Sequence, residues 1–344
     1  MVEVGKIGDK TLVLDGRYIS IFRGGKLVWK RRYMAYPLPD GNLYLYRRRV
    51  RITEQSGKTL TDYQIRIEIG AGDPIWEHAR SAGEDIRFCY YPEEEMLSYW
   101  IEKYDPDAEE AIIWVKVPEI PANSEIDIYM YYGNPEVASA SDGDATFEFF
   151  DDFEDGVIDT NKWGVAGTTE NVVEEGGLLK ITHAGKADPV VYGKIDFSYG
   201  YSMRLRVRYL QTNKDVEHGW SACTGAGTYL CDCGGGNGAV YFTYRDGTVY
   251  LRTRKDGVGA TTQVLPSYDT DFHVWELVRN SASKVSLYKD DEYVYAHTTN
   301  IPTIDLHPAF NTASADYGGN SEIDFITVRK FTEPEPSVSV GAEE

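Results

Sequence analysis

Phe147-Glu148-Phe149-Phe150-Asp151-Asp152-Phe153-Glu154-Asp155-Gly156, followed by Asp159 to Trp163, is the stretch on which the reading of the chain turns. Aromatics alternate with carboxylates, then a turn-rich segment reaches a tryptophan. The stretch closes one run of strand-like segments and opens another. It reads as a junction between two β-domains, with acidic groups gathered where the chain passes from one to the other.

Upstream of the junction the apolar residues keep a period of two. Ile65, Ile67 and Ile69 alternate with Gln64, Arg66 and Glu68; Ile126, Ile128, Met130 and Tyr132 alternate with Asp127, Tyr129 and Tyr131. Successive side chains of a strand point to opposite faces, so this pattern predicts antiparallel sheets with one wet face. Pro118, Pro121 and Pro135 fall between the runs, where they interrupt no ladder. Residues 1–42 read as short hairpins, with Asp15-Gly16 as a two-residue turn. Hairpins this short are marginal alone, so this arm is expected to pack on its own domain or to add strands to a neighbouring subunit. Lys30-Arg31-Arg32 and Arg47-Arg48-Arg49 make it locally basic.

Downstream, Met203, Leu205, Val207 and Tyr209 alternate with Arg204, Arg206 and Arg208, and Asp246-Gly247 and Asp256-Gly257 mark turns. Many short strands separated by glycine turns predict a sandwich or jelly roll. The expected plan is all-β: an arm at 1–42, a β-sandwich at 43–146, a jelly-roll β-sandwich at 147–335, and a Pro-, Glu- and Ser-rich tail at 336–344.

The 344 residues carry a formal net charge of −20, with 33 glycines and 26 tyrosines. An acidic field of that size repels phosphate backbones and argues against a nucleic-acid partner. Met1 to Lys30 holds no apolar run long enough for a signal peptide or a membrane span. That leaves a chain not exported by that route, a leader missing from this sequence, or a viral particle protein. Cys89 stands in a strand-like run as a small hydrophobe. Cys223, Cys231 and Cys233 cluster in a glycine-rich stretch. A disulfide from Cys223 to one of the other two, or free thiols, comes ahead of zinc. A fourth zinc ligand at a usual spacing is missing, since His218 lies only five residues upstream.

Several motifs carry resemblances. Leu60-Thr61-Asp62-Tyr63-Gln64, Gly83-Glu84-Asp85-Ile86-Arg87-Phe88, Tyr99-Trp100-Ile101-Glu102, Ile113 to Pro118 and Tyr129-Met130-Tyr131-Tyr132-Gly133-Asn134-Pro135 stand in order. Together they resemble the family called domain of unknown function 2341, over most of residues 44–146. That resemblance implies a β-sandwich in modular surface proteins and no chemistry. Phe150 to Trp163 resembles the opening of concanavalin A-like lectin and glucanase domains. His273 to Arg279, with Val285 to Tyr288 and Asp290 to Tyr295, resembles the laminin G-like version of that fold.

This second resemblance frames the candidate sites. Such folds often hold a structural calcium where first and last strands meet, which puts forward Asp151, Asp152, Asp155 and Asp324 as ligands; turn and capping roles fit the first two equally well. Laminarinase-type members carry a nucleophile Glu, a helper Asp and an acid/base Glu on one strand. Glu322-Ile323-Asp324 has the first part of that form, but Ile326 and Thr327 occupy the places for a third carboxylate. Trp220, Tyr229, Tyr241 and Tyr317 lie near glycine-rich loops and could stack on sugar faces. The expectation is a non-catalytic extracellular or virion surface protein of the tail-fibre, spike or adhesin type. It would be homo-oligomeric or joined to other structural subunits, and would recognise cell-surface glycans. A glycoside hydrolase or lyase on the concanavalin A-like fold is the alternative, and a purely architectural subunit is a third.

Overall fold

The structure is a computed structural model. It describes residues 2–7, 10–15, 18–32, 36–90, 95–183, 189–211, 214–225, 230, 238–245, 247–312 and 318–344; at 2–21 and 29–32 it describes the backbone alone. Among these residues the chain is almost wholly β, and it divides into two units: Met1–Thr146 with Pro334–Glu344, and Phe147–Glu333.

The first unit begins with an antiparallel meander, β1 (Val2–Ile7), β2 (Lys10–Asp15), β3 (Tyr18–Arg23) and β4 (Lys26–Arg32). A two-stranded ribbon follows, β5 (Tyr36–Pro37) and β6 (Leu43–Tyr44). The sandwich itself is built from β7 (Tyr46–Thr53), β8 (Leu60–Ile69), a single helical turn α1 (Ile75–His78), β9 (Arg87–Tyr90), β10 (Glu95–Met96), β11 (Tyr99–Asp105), β12 (Glu110–Ile120) and β13 (Glu125–Tyr132). A second turn, α2 (Gly143–Thr146), leads to the junction. In β8 the alternating isoleucines face inward, where Ile65, Ile67 and Ile69 meet Ile113, Val115 and Val117 of β12 and Ile128 and Met130 of β13. Tyr129 and Tyr131 of β13 face the other way and pack with Leu38, Tyr44 and Cys89. Cys89 is buried and free.

The charged members of the sandwich motifs are fasteners. Asp85 is fully buried and accepts backbone N–H groups from Arg80, Gly133 and Asn134 at 2.9, 2.7 and 3.0 Å. Arg87 donates to the carbonyls of Glu84, Ile86 and Ala138. Gly133 has φ +87°, and a Cβ there would stand 2.5 Å from the Tyr46 ring, so no other residue fits. Such a lattice satisfies loop backbone that would otherwise be buried unpaired, and it offers no reactive group.

The second unit runs β14 (Phe149–Asp151), β15 (Trp163–Ala166), β16 (Val172–Glu174), β17 (Leu179–Ile181), β18 (Val190–Gly193), β19 (Tyr201–Tyr209), β20 (Val216–Ser221), β21 (Ala239–Arg245), β22 (Thr248–Lys255), β23 (Val258–Leu265), β24 (His273–Ser281), β25 (Lys284–Lys289), β26 (Glu292–His297), β27 (His307–Asn311) and β28 (Ser321–Lys330). They form two antiparallel sheets. One has the order β16-β17-β28-β19-β24-β25-β26, with β14 also on β28; the other is β15-β18-β27-β20-β21-β22-β23. Met203, Leu205, Trp275, Leu277 and Val328 from the first sheet meet Trp220, Phe242, Leu251 and Phe310 from the second in one core. This is the jelly-roll sandwich that the alternation predicts.

The expected tail is not a tail. Residues 337–343 form β29 (Ser337–Glu343), which pairs with β7 and completes the sheet β10-β9-β13-β7-β29 of the first unit. Its Val338 and Val340 pack on that unit's core, and Glu343 accepts from Tyr132 Oη at 2.6 Å and contacts His78 Nδ1 at 2.9 Å. The first unit is thus discontinuous in sequence, with the jelly roll inserted between β13 and β29.

Candidate functional site

The outer face of the second jelly-roll sheet gathers the reactive side chains. On β20 the inward positions are Val216, His218 and Trp220, which join the core. The alternate positions, Glu217, Gly219 and Ser221, therefore face outward, and Asp215 stands immediately before the strand, in an isolated bridge with Gly318. Glu217 is fully buried; its Oε2 accepts the Leu230 N–H at 2.6 Å, and its Oε1 lies 4.0 Å from Arg252 Nη1. Asp215 lies 3.7 Å from Arg245 Nε. A Cβ at Gly219 would stand 2.3 Å from the Val240 carbonyl and 2.5 Å from Tyr241 Cβ, so only glycine fits opposite Tyr241.

One end of this face is covered by the segment around Cys223 and Leu230. Ser221 Oγ donates to the Leu230 carbonyl at 2.8 Å, and His307 Nε2 reaches the Cys223 carbonyl at 2.8 Å while its Nδ1 meets Asp196 at 2.9 Å. Val190, Cys223, Leu230, Ala239, Tyr241 and Ala309 form a small apolar cluster there. Cys223 is disulfide-bonded, as the spacing suggested; its partner lies outside the described residues, as do Cys231 and Cys233 themselves. Towards the sheet edge, Tyr241, Arg252, Thr253, Arg254, Gly259, Ala260 and Thr261 line an open pocket of about 120 Å³. The ladder sets these neighbours: Tyr241 pairs with Arg252, and Arg252 with Thr261.

Asp215 and Glu217 are the chemically suggestive pair. They stand two residues apart in sequence, and glycosidic hydrolysis uses two carboxyls on one sugar bond. The sequence reading passed over them, although Asp215-Val216-Glu217 has the same carboxylate–apolar–carboxylate form as Glu322-Ile323-Asp324.

The other expected site residues fall differently. Trp220 is corrected from ligand binder to core residue: it is fully buried between the sheets, and its indole N–H donates to the Leu277 carbonyl at 3.0 Å. Tyr241 lines the pocket, with its ring 1% exposed. Tyr229 and Tyr317 lie outside the described residues. Glu322 and Asp324 are each taken by an arginine of neighbouring β19, Arg208 at 2.5 Å and Arg206 at 2.5 Å.

Of the four expected calcium ligands, Asp151 lies near Asp152, Asp151 and Asp155 both lie near Glu174, and Asp324 is paired elsewhere. Asp151 commits one oxygen to the Trp163 indole at 2.7 Å and the other to the Phe153 N–H at 3.0 Å, whereas Asp324 is paired with Arg206. Asp155 faces Glu174 instead. Among the described residues, no group of three or more His, Cys, Asp or Glu side chains has the geometry to hold a metal.

Buried titratable groups elsewhere are structural. His218, fully buried, sits between Tyr209 Oη at 2.9 Å and Ser321 Oγ at 3.3 Å, and burial pushes it down to about 3, so it stays neutral. Glu276 is opposed by burial, but Arg329 and Arg204 beside it hold its carboxyl below the usual range.

Residues 82–166 match the family described as Domain of unknown function (DUF2341). The resemblance over residues 44–146 thus narrows at its start and extends across the junction. No curated protein sequence matches the chain. Among solved structures, the endo-beta-1,3-glucanase from Pyrococcus furiosus is similar at 13% identity over 54% of this chain and 94% of that one, with a TM-score of 0.42. LamAcat from Zobellia galactanivorans is similar at 16% identity over 55% of this chain and 100% of that one, with a TM-score of 0.41. The laminarinase catalytic domain from Thermotoga maritima gives 16% identity, 54% and 97% coverage, and a TM-score of 0.40. At these identities the likeness concerns fold alone. The expectation of a chain that is not an enzyme finds no support among these structures, which include an endo-beta-1,3-glucanase and a laminarinase catalytic domain.

Proposed function

We propose that the chain acts on glycans as a glycoside hydrolase, with the outer face of β20, β21 and β22 as its site. The observation that carries this reading is Asp215, just before β20, and Glu217 on its outer face, with Glu217 beside Arg252 of the pocket at Tyr241. Hydrolysis of a glycosidic bond needs one carboxyl to protonate the leaving oxygen and a second to act as nucleophile or to activate water. Glu217 and Asp215 supply that pair. The arginines beside them, Arg252 and Arg245, position the carboxylates. The disulfide at Cys223 supports an oxidising compartment outside the cell.

The test is release of reducing ends from laminarin, lichenan and mucin-type O-glycans by the full chain. Glu217→Gln is expected to lower turnover by about 10²–10⁴-fold with folding unchanged. No release from any of the three, or full turnover by the variant, removes the reading.

A further inference from the structure

We infer that His297 is a pH-sensitive clasp, which ties the two jelly-roll sheets together at one edge while its ring is neutral and releases them when the ring takes a second proton. The sheets end close together there: β26 is the last strand of one and β23 the last strand of the other. Such edges are the easiest parts of a sandwich to open, because each strand is laddered on one side only. Neither strand is anchored by deep apolar burial. No residue of β23 is fully buried, and Val264, Leu265 and Val294 are half-buried against the core. On β26 the buried residue is His297, 4% exposed.

The ladder turns the ring inward. His297 stands opposite Val285 of β25, a core residue, and so shares its inward face. From there its Nδ1 reaches Thr253 Oγ1 of β22 at 3.0 Å, and its Nε2 reaches Thr262 Oγ1 of β23 at 2.9 Å. One imidazole of the first sheet thus holds two strands of the second. The hydrogen positions follow from the partners. Thr253 Oγ1 gives its own hydrogen to the Thr299 carbonyl at 3.0 Å, so towards the ring it can only accept. Nδ1 therefore carries the proton of the neutral ring, and Nε2 accepts from the Thr262 hydroxyl.

A second proton has to go on Nε2, where it meets a hydroxyl that was donating. Thr262 must turn its hydrogen away, and a full charge is left between the sheets. Among the described residues, the groups facing the ring are the Thr253 and Thr262 hydroxyls of the second sheet, Val285 of β25, the Tyr295 ring at 5.6 Å on β26 itself, and the Thr299 carbonyl behind Thr253. Tyr295 is titratable, and none of them is a carboxylate. Arg252 and Arg254, on either side of Thr253, point to the opposite face of β22, and β23 has no charged residue. Burial alone pushes the ring below the usual histidine range. A solvated ring titrates at about 6.5, so the open edge takes the proton first. The clasp therefore holds fully above about pH 6.5 and weakens as pH falls, each unit favouring the open edge by up to about tenfold while the closed ring stays neutral. The released strand carries Gly259, Ala260 and Thr261 of the pocket wall, so acid loosens one side of that pocket.

The experiment is hydrogen–deuterium exchange of the full chain at pH 7 and pH 5, with each amide corrected for its intrinsic rate. Protection of β23 and β26 is expected to fall about tenfold or more at pH 5, relative to β19 and β28 in the middle of the first sheet. His297→Gln, whose amide takes up no proton in this range, should show the same edge protection at both pH values. Nitrogen NMR of the parent ring gives a readout that does not depend on how the variant folds: a neutral ring with its proton on Nδ1 at pH 7, and an imidazolium that appears over the range in which edge protection is lost. Equal edge protection at pH 7 and pH 5, a loss that persists in His297→Gln, or a ring that protonates while the edge stays protected overturns the inference.

Discussion

Arg279 gives the sharpest test of how the jelly roll is held. It lies on β24, 1% exposed, with its side chain turned inward beside Trp220. Its guanidinium donates to three carbonyls, those of Phe197, Pro302 and Ile304, the last at 2.7 Å. Burial pushes its pKa down to about 10, against an opposing pull from Asp305. That depression corresponds to about 3 kcal/mol of lost hydration. Against it stand three charged hydrogen bonds, of which two are short; at roughly 1.5–3 kcal/mol each for the short ones and less for the third, they contribute about 5 kcal/mol. Arg279→Met keeps most of the side-chain volume, removes both terms and leaves three carbonyls without this donor. The expected net cost is about 2 kcal/mol, or a fall of about 4–8 °C in the melting temperature of the second unit. Arg279→Ala adds a cavity and should cost about 2 kcal/mol more. Scanning calorimetry of the full chain reads both. A melting temperature for Arg279→Met equal to or above that of the parent would refute the reasoning, because it would mean that hydration lost by the buried cation outweighs the clamp.

Two further expectations follow from the same kind of accounting. Deleting residues 334–344 removes β29 with its Val338 and Val340 contacts and the Glu343 bonds to Tyr132 and His78; the calorimetric transition of the first unit should drop by about 10 °C or more, while that of the inserted unit stays where it was, and a shared drop would contradict the assignment of β29. Glu174 is raised to about 7, first by burial and then by the Asp155 carboxyl facing it. The native state therefore holds a proton that the unfolded chain has released, so stability falls as pH rises from about 4.5 to 7. Since the group is only partly buried, the loss should be only about 1 kcal/mol. Glu174→Gln should flatten this part of the stability profile in urea titrations, and an unchanged slope would show that Glu174 is not the titrating group.

The alternation of Ile65, Ile67 and Ile69, or of Met203, Leu205 and Val207, was enough to establish sheets, because facing is a local property with a period of two. The same holds for glycines at turns, whereas at Cys223 the sequence left a disulfide and free thiols open and the structure shows the disulfide. What lay beyond the sequence depends on which strands become neighbours. Asp215-Val216-Glu217 and Glu322-Ile323-Asp324 look alike as tripeptides. Strand order places the second opposite Arg206 and Arg208 of β19, where it is spent in ion pairs, and the first on a face that carries a pocket. Trp220 could not be told from a ligand-facing aromatic until the register of β20 against β21 and β27 turned it inward. The terminal residues read as a tail because the edge they complete belongs to β7, nearly three hundred positions earlier. Composition and periodicity fix what a segment is, since those forces act within a few residues. Which side chains meet is decided by pairings that close only when the whole chain has folded.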